Sequence, residues 1–178
     1  PDPFTHASGA PLSITSMTEA DLDEVLALQG VGYPASLHDS AAAFRSRMSL
    51  APDLNLTARR NGALAGYLVS HPWRRGAPPP VDAVLGETPE GADACWYVHD
   101  LSVAADQRGT GVTSALLARG AAAARARGLG HSELIAVAGA EGFWAKQGWR
   151  RVEPLDPNLA AKVAGYGALA VFMAKAPI

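Results

Sequence analysis

Arg108-Gly109-Thr110-Gly111 joins an apolar stretch that reads as a strand, Trp96 to Val103, to one that reads as a long helix, Val112 to Arg127. That order suits the holding of an anion. Glycine lacks a Cβ and lets backbone N–H groups come close to a ligand. The helix start adds amides without intrahelical partners and the positive end of the helix dipole. A pyrophosphate fits such a turn, and Arg108 adds a forked cationic donor. Two nucleotide-binding motifs fail on detail. The Gly-Lys-Ser/Thr of a Walker A loop is absent, and the third glycine of a dinucleotide-binding Gly-x-Gly-x-x-Gly is missing.

Few other side chains could do chemistry. His99 lies in the Trp96 to Val103 strand. A period of two puts it on the face of Tyr97, Leu101 and Val103, with Asp100 opposite as a structural hydrogen-bonder. Imidazole is the side chain that titrates nearest neutral pH, and it could take a proton from a nucleophile directly or through water. Cys95 is the only cysteine and has no base beside it in sequence, so it reads as a packing residue. His6, His38 and His131 show no metal-ligand spacing, and no metal is expected.

These residues need a scaffold, and the chain supplies strands and helices in alternation. Leu12-Ser13-Ile14 reads as a first strand. Thr18 then looks like an N-cap with Asp21 at the third helical position, and Gly30 as the residue just past the helix end. A second helix begins near Asp39 or Ser40, carries Phe44 and Met48, and ends at Pro52. Leu54 to Arg59 and Leu64 to Ser70 flank Asn61-Gly62, a strong hairpin signal because both turn residues need positive φ. His71-Pro72-Trp73 and the Gly76 to Pro80 stretch read as loop. After the long helix, closed by Gly128, come a strand Ser132 to Val137, a short helix Gly139 to Gln147 and a last strand Ala168 to Ala174. The fold class is α/β (α+β), a single domain around a mixed sheet.

Composition bounds the rest. With 178 residues, 48% of them apolar, the chain can bury one core and is not disordered. Charged residues reach only 18%, against about 25% in an average domain; 36 alanines make up much of the difference. A net charge of −2 leaves no basic excess for nucleic acid or a membrane surface. No apolar run is long enough to span a bilayer. Residues 1–11 lack the basic start and apolar stretch of a secretion signal and read as a flexible tail before a domain over 12–178. A lone cysteine fits a cytoplasmic location.

At the glycine loop the chain resembles the GCN5-related N-acetyltransferase (GNAT) family. The family signature is Arg/Gln-x-x-Gly-x-Gly/Ala after a strand ending in "LxV". Here Leu101-Ser102-Val103 precedes Arg108-Gly109-Thr110-Gly111-Val112-Thr113. The family's later "AxxFYxKxGF" segment is matched by Ala140 to Trp149, at the usual separation. The resemblance implies a mixed central sheet with a splayed strand pair and flanking helices. It implies acetyl-CoA as cofactor, its pyrophosphate on the backbone of Arg108, Gly109, Thr110, Gly111, Val112 and Thr113 and its pantetheine along Leu101, Ser102 and Val103. The reaction would be direct attack of an amine on the thioester in a ternary complex, with a backbone N–H polarising the thioester carbonyl. His99 stands where arylalkylamine N-acetyltransferases carry a catalytic histidine. Tyr166, just before the last strand, could reach the thiol. Tyr33, His71 and Trp73 fall where the fold builds its acceptor pocket, suited to a small, partly apolar amine. A homodimer is possible.

The chain departs from the family in three places. Thr113 replaces the last glycine of the signature, Val137 stands at a frequent asparagine, and Trp144 takes the place of the tyrosine that usually protonates the leaving thiolate. Indole has no usable acidic proton. Alongside a small-molecule N-acetyltransferase, the sequence therefore leaves open a non-catalytic acyl-CoA-binding module and an enzyme acting on protein N-termini or lysines.

Overall fold

The computed structural model describes residues 9–87, 91 and 93–178. Of the tail expected over residues 1–11, residues 1–8 lie outside this range. A seven-stranded sheet runs through the molecule in the order β1 (Leu12–Ser16), β2 (Asn55–Arg60), β3 (Ala63–Arg74), β4 (Ala94–Val103), β5 (Ser132–Ala136), β7 (Val171–Lys175) and β6 (Arg150–Arg151). All neighbours are antiparallel except β4 and β5. Between β1 and β2 lie α1 (Leu22–Gly32) and α2 (Ala41–Leu50). Helix α3 (Val112–Ala126) links β4 to β5, α4 (Glu141–Lys146) precedes β6, and α5 (Pro157–Ala164) precedes β7.

Residue alternation divides the core into two faces. Leu68, Trp96, Val98 and Leu134 pack with Val112, Leu116 and Leu117 of α3 and with Trp144 and Trp149. Tyr67 and Val69, one residue out of phase, pack with Leu22 and Val25 of α1 and Phe44 of α2. Ile135 and Phe172 meet Leu159 and Val163 of α5. Gly120 and Ala124 of α3 are buried against this face. A Cβ at Gly120 would stand 2.7 Å from Leu68 and 2.8 Å from Trp96, so small residues on this helix let it close onto the sheet.

The Asn61-Gly62 hairpin forms with both residues at positive φ. Three elements depart from the sequence reading. Helix α1 continues past Gly30 to Gly32, where the Tyr33 amide closes it on Gln29 O at 3.0 Å. His71-Pro72-Trp73 is strand, not loop: β3 pairs with β4 through His71↔Tyr97, Pro72↔Trp96 and Trp73↔Cys95. Past Val69 the β2 side of β3 is unpaired, so the missing N–H of Pro72 costs no ladder bond there. Helix α5 was not expected at all, although Asp156 caps it by accepting the Leu159 amide at 2.9 Å, ahead of a proline at its first position.

Two irregularities shape the interior. Strands β4 and β5 pair only at Trp96↔Ser132 and Tyr97↔Glu133 and then part, leaving a wedge in the sheet. Opposite Val69 and Ser70, β4 carries one extra residue, His99. Such a bulge bends the strand and re-aims side chains.

Candidate functional site

The wedge opens into a cavity of about 1320 Å³ that reaches from the start of α3 to the α1–α2 connection. At the α3 end, Gly109 (φ +75°) and Gly111 (φ +88°) hold left-handed backbone, and a Cβ built on either would meet nothing within 4 Å. The loop is therefore open on its glycine side. The amides of Val112, Thr113 and Ser114 have no carbonyl one turn back. Arg60, at the end of β2, holds the loop from below, donating to Gln107 Oε1 at 3.1 Å and Thr110 O at 3.2 Å. Leu101, Ser102, Val103, Arg108, Gly109, Gly111, Val112 and Thr113 line the cavity; Thr110 does not, because its hydroxyl turns back onto Gln107 O at 2.6 Å. An anion held here by backbone donors needs few lysines, in keeping with the sparse charge of the chain. Trp144 lines the same chamber, packed edge-on against Trp149 at 5.3 Å between centroids.

At the other end the bulge overturns the simple alternation. His99 turns toward the α1–α2 connection, where its Nε2 lies 2.6 Å from Asp39 Oδ2, both side chains only 5% exposed. Asp100 turns to the same side and accepts the Tyr67 hydroxyl at 2.5 Å. Leu101 and Val103 pack on the opposite face with the α3 core. His99 and Asp100 therefore share a face, and His99 does not share one with Leu101 and Val103. One extra residue in the strand is the cause.

Asp39 is firmly placed. Gln29 donates to its carbonyl at 3.0 Å and accepts its amide at 2.8 Å. Ser40 takes over capping of α2, accepting the Ala43 amide, which frees the Asp39 carboxylate. Burial acts to raise the Asp39 carboxyl, but the His99 ring, the charge of Arg47 and the Asp82 amide outweigh it and hold the group below the usual carboxylate range. An ionised Asp39 accepts a hydrogen bond from His99 Nε2–H, and in that tautomer of the neutral ring Nδ1 keeps its lone pair. Nδ1 is buried and unpartnered among the described residues, and His99 lines the cavity. Burial pushes the Asp100 carboxyl up, opposed by the Tyr67 hydroxyl, the His99 ring and the nearby Tyr33 hydroxyl; its Oδ1 is buried and accepts no hydrogen bond among the described residues.

Residues 76–85, between β3 and β4, form a strap across this end. Trp73 Nε1 donates to Ala77 O at 2.8 Å, the Gly76 amide to Glu133 at 2.7 Å and Tyr166 Oη to Pro79 O at 2.6 Å. The Asp82 amide donates to Asp39 Oδ1 at 2.7 Å, and Asp82 Oδ1 accepts the Ser40 amide at 2.7 Å. Arg47, 1% exposed, donates to Ala83 O at 3.0 Å.

Of the acceptor-side residues read from the sequence, Tyr33, His99 and Tyr166 line the cavity. His71 and Trp73 do not. As strand residues they stand behind the wall: His71 is fully buried, tilted against Tyr97 at 5.5 Å, and Trp73 fastens the strap. Asp39, Asp82 and Arg60 were not read as site residues, and Asp100 was read only as a structural hydrogen-bonder on the face opposite His99. Asp39 looked like a helix cap, and the other three carry no local signal, since their partners lie 33 to 50 residues away. Burial raises the Cys95 thiol, in keeping with packing.

Among the described residues no helix is long and apolar enough to cross a membrane. A search of curated proteins finds no match. Solved structures resemble the fold. Arabidopsis thaliana Naa50, in complex with the bisubstrate analogue CoA-Ac-MVNAL, aligns with a TM-score of 0.64 at 17% identity over 93% of this chain and 98% of that one. N-acetylglutamate synthase from Neisseria gonorrhoeae, with coenzyme A and N-acetyl-glutamate, gives 0.68 at 18% over 95% and 36%. GphF, a GNAT-like decarboxylase in complex with isobutyryl-CoA, gives 0.71 at 20% over 92% and 98%. At these identities the likeness is one of fold. The acetyltransferase (GNAT) family model, by contrast, matches the sequence itself over residues 22–149, more than half its length, and the chain belongs to the GNAT family.

Proposed function

We propose that the protein binds acetyl-CoA and transfers the acetyl group to the primary amine of a small molecule by direct attack in a ternary complex. One observation carries the reading: a single cavity holds the glycine cradle at one end and, at the other, a buried histidine whose second ring nitrogen has no partner among the described residues.

The backbone of Arg108 to Thr113 would hold the pyrophosphate, with Arg108 beside it. The β4 edge over Leu101 to Val103, unpaired where β5 departs, would offer backbone groups to the pantetheine and a donor to the thioester carbonyl. Bound acetyl-CoA supplies an activated acyl thioester. His99 Nδ1 takes a proton from the incoming ammonium, and Asp39 stabilises the imidazolium. The freed amine forms the C–N bond as the C–S bond breaks. The nitrogen sheds a second proton as the amide forms; of the two protons, one ends on the thiol and one in solvent. Tyr166 fits a strap fastener better than the acid for the thiolate: its hydroxyl proton is engaged by Pro79 O, and burial raises the group. Thiolate is a fair leaving group, which accommodates Trp144 in place of the family's tyrosine.

The strap favours a small acceptor over a protein amine, since it bridges the α1–α2 connection and the segment before β7 across the mouth a peptide would use. A purely binding role leaves the Asp39–His99 pair without a use. The test is twofold. Acetyl-CoA should raise the melting temperature, and thiol release should require a small primary amine. No stabilisation at millimolar acetyl-CoA would sink the reading; stabilisation without amine-dependent release would leave a binding module.

A further inference from the structure

The charges lining the cavity are segregated. Among the described lining residues, Arg108 at the glycine loop is the one lysine or arginine, while the acids, Asp39 and Asp100, both lie at the acceptor end. The bulge at His99 brings two lone-pair atoms to one face there, His99 Nδ1 and Asp100 Oδ1. Both are buried, both lack a hydrogen-bond partner among the described residues, and Asp100 is 8% exposed. Buried acceptors without donors are costly, and structures retain them where something fills them. An ammonium carries three donors and a positive charge, and so answers two neighbouring acceptors better than water does.

The surroundings specify the rest of the ligand. Leu28, Leu37 and Val81 supply aliphatic wall, and Tyr33 and Tyr166 aromatic wall. Among the described residues no lysine or arginine lines this end to receive a carboxylate. Arg47 is the nearest candidate, but it does not line the cavity; its Nη1 is tied to Ala43 O at 3.2 Å and Ala83 O at 3.0 Å behind the strap, and its charge, with Nε and Nη2 buried and unpartnered among the described residues, acts on Asp39 from behind the wall. A carboxylate would meet Asp39 and Asp100 instead, at a cost that binding energy from the apolar body would have to offset.

We infer that the acceptor is a compact apolar amine with no carboxylate, bound as its ammonium by Asp100 Oδ1 and His99 Nδ1. Asp100 is thus a substrate-binding residue. The inference rests on the proposed acetyl transfer for its use, but binding tests it separately.

Three matched probes suffice: phenethylamine, phenylalanine and phenethyl alcohol, titrated by calorimetry into the full chain with coenzyme A present. Phenethylamine should bind at least tenfold more tightly than either of the others, and Asp100→Asn should weaken it at least tenfold while leaving coenzyme A affinity unchanged. Equal or tighter binding of phenylalanine, or of the alcohol, would overturn the inference; so would an Asp100→Asn protein that keeps full amine affinity. If that variant does not fold, the three-probe comparison on the unaltered chain decides alone. Selective binding of phenethylamine with no acetylated product would retain the ammonium site and reject acetyl transfer. Acetylation of phenylalanine in preference to phenethylamine would do the reverse.

Discussion

The two ends of the cavity are built differently. The α3 end is backbone: two left-handed glycines, the first amides of a helix and one supporting arginine beneath. The acceptor end is side chain: Asp39 on His99, Tyr67 on Asp100, Tyr166 on the strap. A backbone site depends on local chain geometry and tolerates change around it. A side-chain site depends on five segments arriving together: the α1–α2 connection, β3, β4, the strap and the segment before β7. Catalytic rate should therefore be far more sensitive to single substitutions at the acceptor end, and cofactor affinity to changes in the glycine loop.

The largest expected effect is His99→Ala, which should lower kcat by about 100- to 10,000-fold, the usual worth of a positioned base, with acetyl-CoA affinity unchanged in steady-state kinetics. Comparable loss of acetyl-CoA affinity would erase the division between the two ends. Asp39→Asn should cost roughly 10- to 100-fold in kcat, as loss of a partner that orients an imidazole does elsewhere, with KM for acetyl-CoA unmoved. At the other end, Gly111→Ala forces a Cβ onto backbone at φ +88°. A left-handed non-glycine residue costs about 1–2 kcal/mol, so acetyl-CoA affinity should fall about tenfold in a thermal-shift titration, with kcat at saturation little changed.

How much of this was readable follows the same division. The α3 end was legible because Arg108 to Thr113 are consecutive and their strand and helix are adjacent in sequence. The Asn61-Gly62 hairpin was legible for the same reason, since its two strands are adjacent in sequence. The acceptor end was not legible: period two cannot register the extra residue at His99, and nothing local marks Asp39, 60 residues from its partner, as more than a cap. His71 and Trp73 were misplaced because Pro72 signalled a strand end, when β3 runs on with one side unpaired.

The smallest effects concern stability, and their signs differ. The Asp39 carboxyl is held below its unfolded value, so its contribution is present above about pH 4 and is lost as pH falls through the lowered native value. Asp39→Asn should flatten the acid limb of a pH–melting-temperature curve. The Asp100 carboxyl is pushed up, so the native state loses stability as pH rises from the unfolded value toward the native one. Asp100→Asn should melt higher than the parent chain at neutral pH while binding amine more weakly. If both variants shift in the same direction at pH 7, the contrast between a carboxyl held down by its partners and one pushed up by burial is wrong.

The most direct test is to incubate the purified chain and its His99→Ala variant with acetyl-CoA and phenethylamine, or with a tetrapeptide bearing a free N-terminus, and to quantify acetylated product by mass spectrometry. The account predicts N-acetylphenethylamine from the parent chain, little or none from the variant, and no acetylated peptide. Acetylated peptide in preference to acetylated amine, or equal product with and without His99, would contradict it.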